Sequence, residues 1–198
     1  MTTSCARSFV AQLPKDYNVE AITNHQAPTA IQGPEDGDAA VPGVLHIISN
    51  GNFDAYVIAC FDDTGLAEAR TITQKPVIGI GQASFHLAAL SSGRFSVLTT
   101  LAVSIPVIAE NIEAQGFGSI CDGVYASGVP VLDLETAPDK SRGIISSHLQ
   151  KMAVENPSNA VVLGCAGMTN IWNKLQPDHR ITLIDPVAAA AKLIPVIV

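Results

Sequence analysis

Asp54-Ala-Tyr-Val-Ile-Ala-Cys60 lines up residue for residue with Asn159-Ala-Val-Val-Leu-Gly-Cys165, 105 positions further along. Each is a short apolar run leading into a cysteine, the pattern of a buried strand that ends at a thiol. The same offset lays Pro76-Val-Ile-Gly-Ile80 on Ile181-Thr-Leu-Ile-Asp185, and Gly81-Gln-Ala on Pro186-Val-Ala. Two strands and two strand ends in register at one offset predict an internal duplication into two similar α/β halves.

Working outward, short β-branched runs alternate with amphipathic segments. Strands are predicted at Tyr17–Thr23, Tyr56–Ala59, Pro76–Ile80, Arg94–Thr100, around Val124 and Val129–Leu132, at Ala160–Leu163 and at Ile181–Ile184. Helices are predicted over about Asp38–Ser49, Gly65–Ile72, Gln82–Leu90, Ser104–Gln115, Asp139–Glu155 and Met168–Leu175, with Cys5 in an N-terminal helix and an Ala-rich helix closing the chain. Continuous apolar strands alternating with helices mean parallel sheets covered on both faces. The expected fold class is therefore α/β, as two similar flavodoxin-like α/β/α units related by a pseudo-two-fold, with the active site in the cleft between them. The first unit is expected over residues 1–93, with the C-terminal helix 186–198 crossing over to it, and the second over 94–185. Moving the strand that opens at Arg94 back by the same offset lands before Met1. The first unit is thus expected to lack its opening strand, and the apolar end Lys192–Val198 reads as abrupt.

Composition bounds the function. Of 198 residues, 47% are hydrophobic and 15% charged, with a net charge of −7, which excludes disorder and argues against nucleic acid as a partner. Between Pro76 and Ala109 the one formal charge is Arg94, but glycines and polar residues interrupt the stretch too often for a membrane span. The N-terminus lacks the basic and apolar regions of a signal peptide. A cytoplasmic protein with reduced thiols is expected, and its low charge density points to a homo-oligomer.

The four cysteines, at 5, 60, 121 and 165, form no metal-ligand spacing. Cys60 and Cys165 each end a strand and precede a turn into a helix. The carboxyl ends of parallel strands are where ligands bind, and helix-start N–H groups there are expected to lower a thiol's pKa. A pseudo-two-fold would set the two thiols on either side of one cleft. One thiolate could then take a proton from a carbon acid while the opposite thiol delivers one to the other face, with no cofactor. Cys5 and Cys121 share neither context and read as packing thiols. His25, His46, His86, His148 and His179 show no ligand pattern. Asp62 and Asp63 follow Cys60 and are placed either to meet a substrate N–H or to cap the following helix; Asp185, aligned with Ile80, reads mainly as a cap. Gly79-Ile-Gly81 lacks the rest of a dinucleotide fingerprint, and neither a phosphate loop nor a metal site is read.

At these residues the chain resembles the Asp/Glu/hydantoin racemase superfamily, and within it the hydantoin and allantoin racemase branch. Ile58-Ala-Cys-Phe-Asp-Asp-Thr-Gly-Leu66 resembles that branch's first cysteine motif, and Val161-Val-Leu-Gly-Cys-Ala-Gly-Met168 its second; Pro76–Ile80 and Arg94–Leu101 are similar to further family segments. The resemblance runs from about Ala27 to Val187. It implies that Cys60 and Cys165 are the acid/base pair. It also implies that the backbone at Phe61, Ala166 and Gly167, the hydroxyls of Thr99 and Thr100, Asp62, and Ile31 in Thr29–Gly33 form the substrate pocket. Three features depart from the family pattern: no Asn-Pro-Asn-Thr loop precedes the first motif, Gln82 stands where relatives often carry Glu, and Asp63-Thr64 replaces a more usual small or Pro residue. The implied activity is racemisation of a 5-substituted hydantoin or allantoin. A cis–trans isomerase or decarboxylase of maleate or arylmalonate type, and a non-catalytic binding protein on the same scaffold, are the alternatives.

Overall fold

The computed structural model describes residues 2–155, 158, 160–175 and 181–198. In chain order the elements are α1 (Thr2–Val10), α2 (Pro34–Asn50), β1 (Tyr56–Ile58), α3 (Leu66–Ile72), β2 (Val77–Gly79), α4 (Ile80–Ser92) and β3 (Phe95–Thr99). They continue with α5 (Ile105–Ala114), β4 (Cys121–Ala126), α6 (Asp133–Thr136), α7 (Pro138–Glu155), β5 (Ala160–Gly164), β6 (Thr182–Ile184) and α8 (Pro186–Ile197). Every strand pairing is parallel: a small sheet β1-β2 and a larger sheet in the order β4-β3-β5-β6. The expected α/β class with parallel sheets is the observed one. No helix among the described residues is long and apolar enough to cross a membrane.

Alternation along the strands divides the apolar residues between layers. Phe95, Val97 and Val162 face a central cluster with Phe85 of α4, Ile108 and Ile112 of α5, and Ala189–Ala191 and Ile194 of α8. On the opposite face of the same sheet, Leu98, Val161 and Leu163 pack on Ile145, Leu149 and Met152 of α7 and on Leu134 of α6. In the small sheet, Ile78 joins the central cluster, while Ile58 and Val77 meet Ile48 of α2 and Leu66 and Ala69 of α3. The two halves therefore share one core. α4, which follows the small sheet, packs on β3, β5 and β6; α8, which follows the large one, packs on β2, β5 and α4 itself. Short side chains on both helices (Ala83 and Ala88 of α4, Ala189–Ala191 of α8) share that core and let the two backbones approach closely.

Three strand or helix expectations fail locally. Tyr17–Thr23 forms no strand: no ladder partner takes its backbone, and residues 20–23 are exposed. Val129–Leu132 turns into α6 instead of extending β4. Met168–Leu175 is two short 3₁₀ turns, Ala166–Asn170 and Trp172–Lys174, where Gly167, Thr169 and Asn170 are weak helix formers.

The repeat itself needs one correction. The offset of 105 holds for the first strand and the cysteine, but β6 is slipped by one. Ile184, and not Leu183, takes the central-core place of Ile78, and the N-cap residues Gly79 of α4 and Asp185 of α8 stand 106 apart. The strand register agrees: Val57 pairs with Ile78, whereas Val162 pairs with Ile184. Asp185 is therefore the counterpart of Gly79, not of Ile80.

That correspondence explains two buried carboxylates. Asp185 Oδ1 accepts the backbone N–H groups of Val187 (2.9 Å) and Ala188 (3.3 Å), the second and third residues of α8. Gly79 has no side chain to do this for α4. Instead Asp63 reaches over, accepting the Gly81 N–H on Oδ1 (2.9 Å) and the Gln82 N–H on Oδ2 (2.7 Å), the same two helix positions. A Cβ on Gly79 would lie 1.9 Å from Asp63 Oδ1, so the aspartate occupies the space a cap side chain at 79 would fill. Asp63 itself takes a left-handed backbone (φ 50) to get there. It caps α4 and not the helix that follows it, whose N-cap is Gly65.

Two measurements check this account. Phe85 is fully buried, its ring edge-on to Phe61 (5.7 Å) and stacked on Phe95 (5.8 Å). Phe85→Ala is expected to cost about 3–5 kcal/mol in urea unfolding. Asp63→Ala leaves two N–H groups of α4 without their acceptor and is expected to cost about 1–3 kcal/mol. Burial raises the Asp63 carboxyl to about 7, so the folded chain holds this proton more tightly than the unfolded one. The group's stabilisation is then complete below about pH 4 and is lost as pH rises through about 7. The gap between wild type and Asp63→Ala is expected to be wider at pH 5 than at pH 8.

Candidate active site

β1 and β5 are the apolar strands that deliver Cys60 and Cys165 to their carboxyl ends. After Cys60 the chain turns at once, the Asp63 N–H donating to the Cys60 carbonyl (3.1 Å); after Cys165 the Met168 N–H does the same (3.1 Å). The turn at Cys60 is held from three sides. Asn111 of α5 donates to the Asp62 carbonyl (2.8 Å), the Ser104 hydroxyl donates to the Asp62 carboxylate, and Asp63 grips α4. Gly81 completes the cradle, since a Cβ there would sit 2.3 Å from the Phe61 carbonyl.

Both thiols are free. Burial pushes Cys60 up to about 12; the Asp62 carboxylate adds to this, while the Thr64 hydroxyl and the Asp62 N–H oppose it. Burial likewise pushes Cys165 up to about 12, opposed by the Gly167 N–H and reinforced by Cys60, Cys5 and Asp62. The expectation that turn N–H groups lower these pKa values is thus overturned: the donors are present, but desolvation outweighs them. Cys60 and Asp62 both act on Cys165, so these three groups lie in one electrostatic neighbourhood. The Asp62 carboxyl is raised to about 6 by burial.

The other residues expected to line a pocket fall into two sets. Phe61, Ala166 and Gly167 flank the thiols, but the Phe61 ring is committed to the core, leaving only its backbone for a ligand. Thr99 ends β3, Thr100 follows it, and both are buried; Thr99 Oγ1 donates to the Gly164 carbonyl (3.0 Å), bracing the strand just before Cys165. A Cβ on Gly164 would lie 2.8 Å from Thr99 Cα, which explains the glycine there. Ile31 sits half-buried on the loop before α2. That loop spans the two halves: Ala30 packs on the second core, and Gln32 Oε1 accepts the Val131 N–H (3.2 Å).

Among the described histidines, His25, His46 and His86 are exposed, and His86 and His148 bond main-chain carbonyls one turn back on their own helices. His179 lies outside the described residues. Gln82 accepts from Arg70 Nη2 (2.6 Å), so its side chain is taken up by α3.

Sequence reasoning missed two features. Cys5, on α1, donates to the Ala166 carbonyl (3.6 Å) and sits beside the Cys165 turn; its sequence neighbourhood carries no sign of this. Thr64 and Thr169 each stand four residues after a cysteine, a match at the 105 offset that was open to view in the sequence. Thr64 Oγ1 donates to Cys60 Sγ (3.2 Å), whereas Thr169 Oγ1 donates to Asp185 Oδ1 (2.8 Å).

The comparisons agree with this architecture. The family described as Asp/Glu/Hydantoin racemase matches residues 1–194. A hydantoin racemase from Rhizobium meliloti is 38% identical over 196 residues, covering 98% of this chain and 81% of the relative; one from Pseudomonas sp. (strain NS671) is 30% identical over 201 residues. The solved structure of an allantoin racemase from Klebsiella pneumoniae superimposes with a TM-score of 0.93 at 31% identity, over 98% of this chain and 81% of that one. A glutamate racemase from Bacillus anthracis (TM-score 0.74, 18% identity) shares the fold. This chain belongs to the Asp/Glu/hydantoin racemase family.

Proposed function

We propose that the chain, a racemase by family, acts on a 5-substituted hydantoin or on allantoin by two-base proton transfer between Cys60 and Cys165. The supporting observation is that the two sulfurs follow equivalent strands and lie close enough for the charge on one to act on the other. In this reading one sulfur is a thiolate and the other a thiol. The thiolate takes the ring-carbon proton and becomes S–H. The opposite S–H gives its proton to the other face and becomes the thiolate. The intervening carbanion is delocalised onto the neighbouring carbonyl, and N–H groups at the two turns, with Asp62 toward a ring N–H, hold the substrate. These transfers balance without a cofactor. The relatives are hydantoin and allantoin racemases, which favours this substrate class over the maleate or arylmalonate types. The four unpaired thiols and the low charge density fit a cytoplasmic homo-oligomer, which completes the proposal.

Cys60→Ser and Cys165→Ser are each expected to lower racemisation of a 5-substituted hydantoin by about 10²-fold or more, followed by loss of optical rotation in time. Near-normal turnover in either variant sinks the two-thiol mechanism. Because both thiols sit near 12, only a small fraction of the free enzyme carries the required thiolate at neutral pH. kcat/KM is therefore expected to rise about tenfold per pH unit between pH 7 and 9. A flat profile across that range contradicts the assignment.

A further inference from the structure

We propose that Thr64 makes the two sulfurs unequal, its hydroxyl favouring Cys60 over Cys165 as the sulfur that carries the negative charge when the site loses a proton. The inference rests on the paired-thiol reading and adds a positioning residue to it. The two cysteine turns carry the same Cys-x-x-x-Thr spacing, so a symmetric site would give each sulfur a hydroxyl. It does not. Thr64 Oγ1 lies 3.2 Å from Cys60 Sγ and donates to it. Thr169 Oγ1 is turned to Asp185 Oδ1 at 2.8 Å, where it braces the α8 cap.

The difference traces to the two caps. Asp185 is anchored on its own helix and draws the Thr169 hydroxyl to itself. In the first half the capping carboxylate comes from residue 63, so the next residue, Thr64, is left facing its own cysteine. Cys60 thus receives a hydroxyl and the Asp62 N–H, while Cys165 receives the Gly167 N–H. A hydroxyl donating to sulfur favours the anion over the thiol, because charge-assisted bonds are roughly twice as strong as neutral ones. The remaining charged or ionisable neighbours are Asp62, which opposes ionisation of both sulfurs, Asp63, which acts on Cys60, and Cys5, which acts on Cys165.

Iodoacetamide reads the charge directly: the thiolate displaces iodide, forming a C–S bond, and the neutral thiol does not react at a comparable rate. The test follows initial alkylation of each cysteine peptide by mass spectrometry in brief pulses from pH 8 to above pH 12, in the wild-type chain, Thr64→Val, Thr64→Ser and Thr169→Val. Exposure differs between the two sulfurs, so the readout is the pH at which each becomes reactive, not the absolute rate. In the wild type, Cys60 is expected to become reactive at lower pH than Cys165. Thr64→Val is expected to slow Cys60 about tenfold at fixed pH without slowing Cys165, and Thr64→Ser to restore it. Thr169→Val is expected to leave the Cys60 profile in place. Two results overturn the proposal: Cys165 ionising first in the wild type, or Thr64→Val leaving the Cys60 profile unmoved. The wild-type order decides the matter even where the valine variant fails to fold. The paired-thiol reading fails by a separate route, through serine variants that still racemise.

Discussion

The constraint on which the site depends is the capping of α4 and α8 by buried carboxylates. Each helix starts at the end of a strand beside a cysteine turn, with N–H groups facing inward where water cannot satisfy them. In both halves the same two N–H positions are met by an aspartate, and in both the aspartate also ties the cysteine turn to the helix. Asp63 is part of the Cys60 turn; Asp185 takes the hydroxyl of Thr169 from the Cys165 turn. A cysteine that follows a three-residue strand such as β1 would otherwise have little to fix it. The caps place both sulfurs relative to α4 and α8, and those two helices pack directly on each other at the middle of the shared core.

Burial then sets the chemistry, in two opposed ways. It raises both thiols to about 12, which on the proposed reading reduces the fraction of enzyme ready to act at neutral pH. The same shift makes each thiolate, once formed, a stronger base toward a carbon acid, and a strong base is what a weakly acidic ring carbon needs. The donors at the turns moderate the shift without reversing it.

Much of this was legible in the sequence, and the failures have physical causes. The strands at Tyr56, Phe95 and Ala160, the long helix Pro138–Glu155 and the cysteine pair stand out because a continuously apolar run or a long helical periodicity is a local signal. Tyr17–Thr23 carries the same local signal but finds no neighbouring strand, and a strand is a property of a pair. The cap from Asp63 to α4 depends on a glycine at 79 and a carboxylate 16 residues earlier meeting in space, which no window of sequence reveals. The one-residue slip in β6 was hidden by the tolerance of apolar alignments: Ile78 matches Leu183 as readily as Ile184, and only the choice of face separates them.

The divergence of the two halves has a thermodynamic licence. A two-fold axis sets equivalent groups on opposite faces of a planar carbon, but it does not make them mirror images, because both halves are built of L-residues. On the proposed reading, the substrate's two enantiomers have the same energy, so the ratio of kcat/KM in the two directions is held at one whatever the site looks like. Asymmetry between the sulfurs can redistribute kcat and KM within each direction but cannot bias the equilibrium. Nothing in the overall reaction therefore selects for identical halves. What must be preserved is a donor at each sulfur and a cap at each helix. Glycine with a borrowed carboxylate at 79 and an aspartate of its own at 185 meet that requirement equally well, and Thr64 and Thr169 are left to serve different partners.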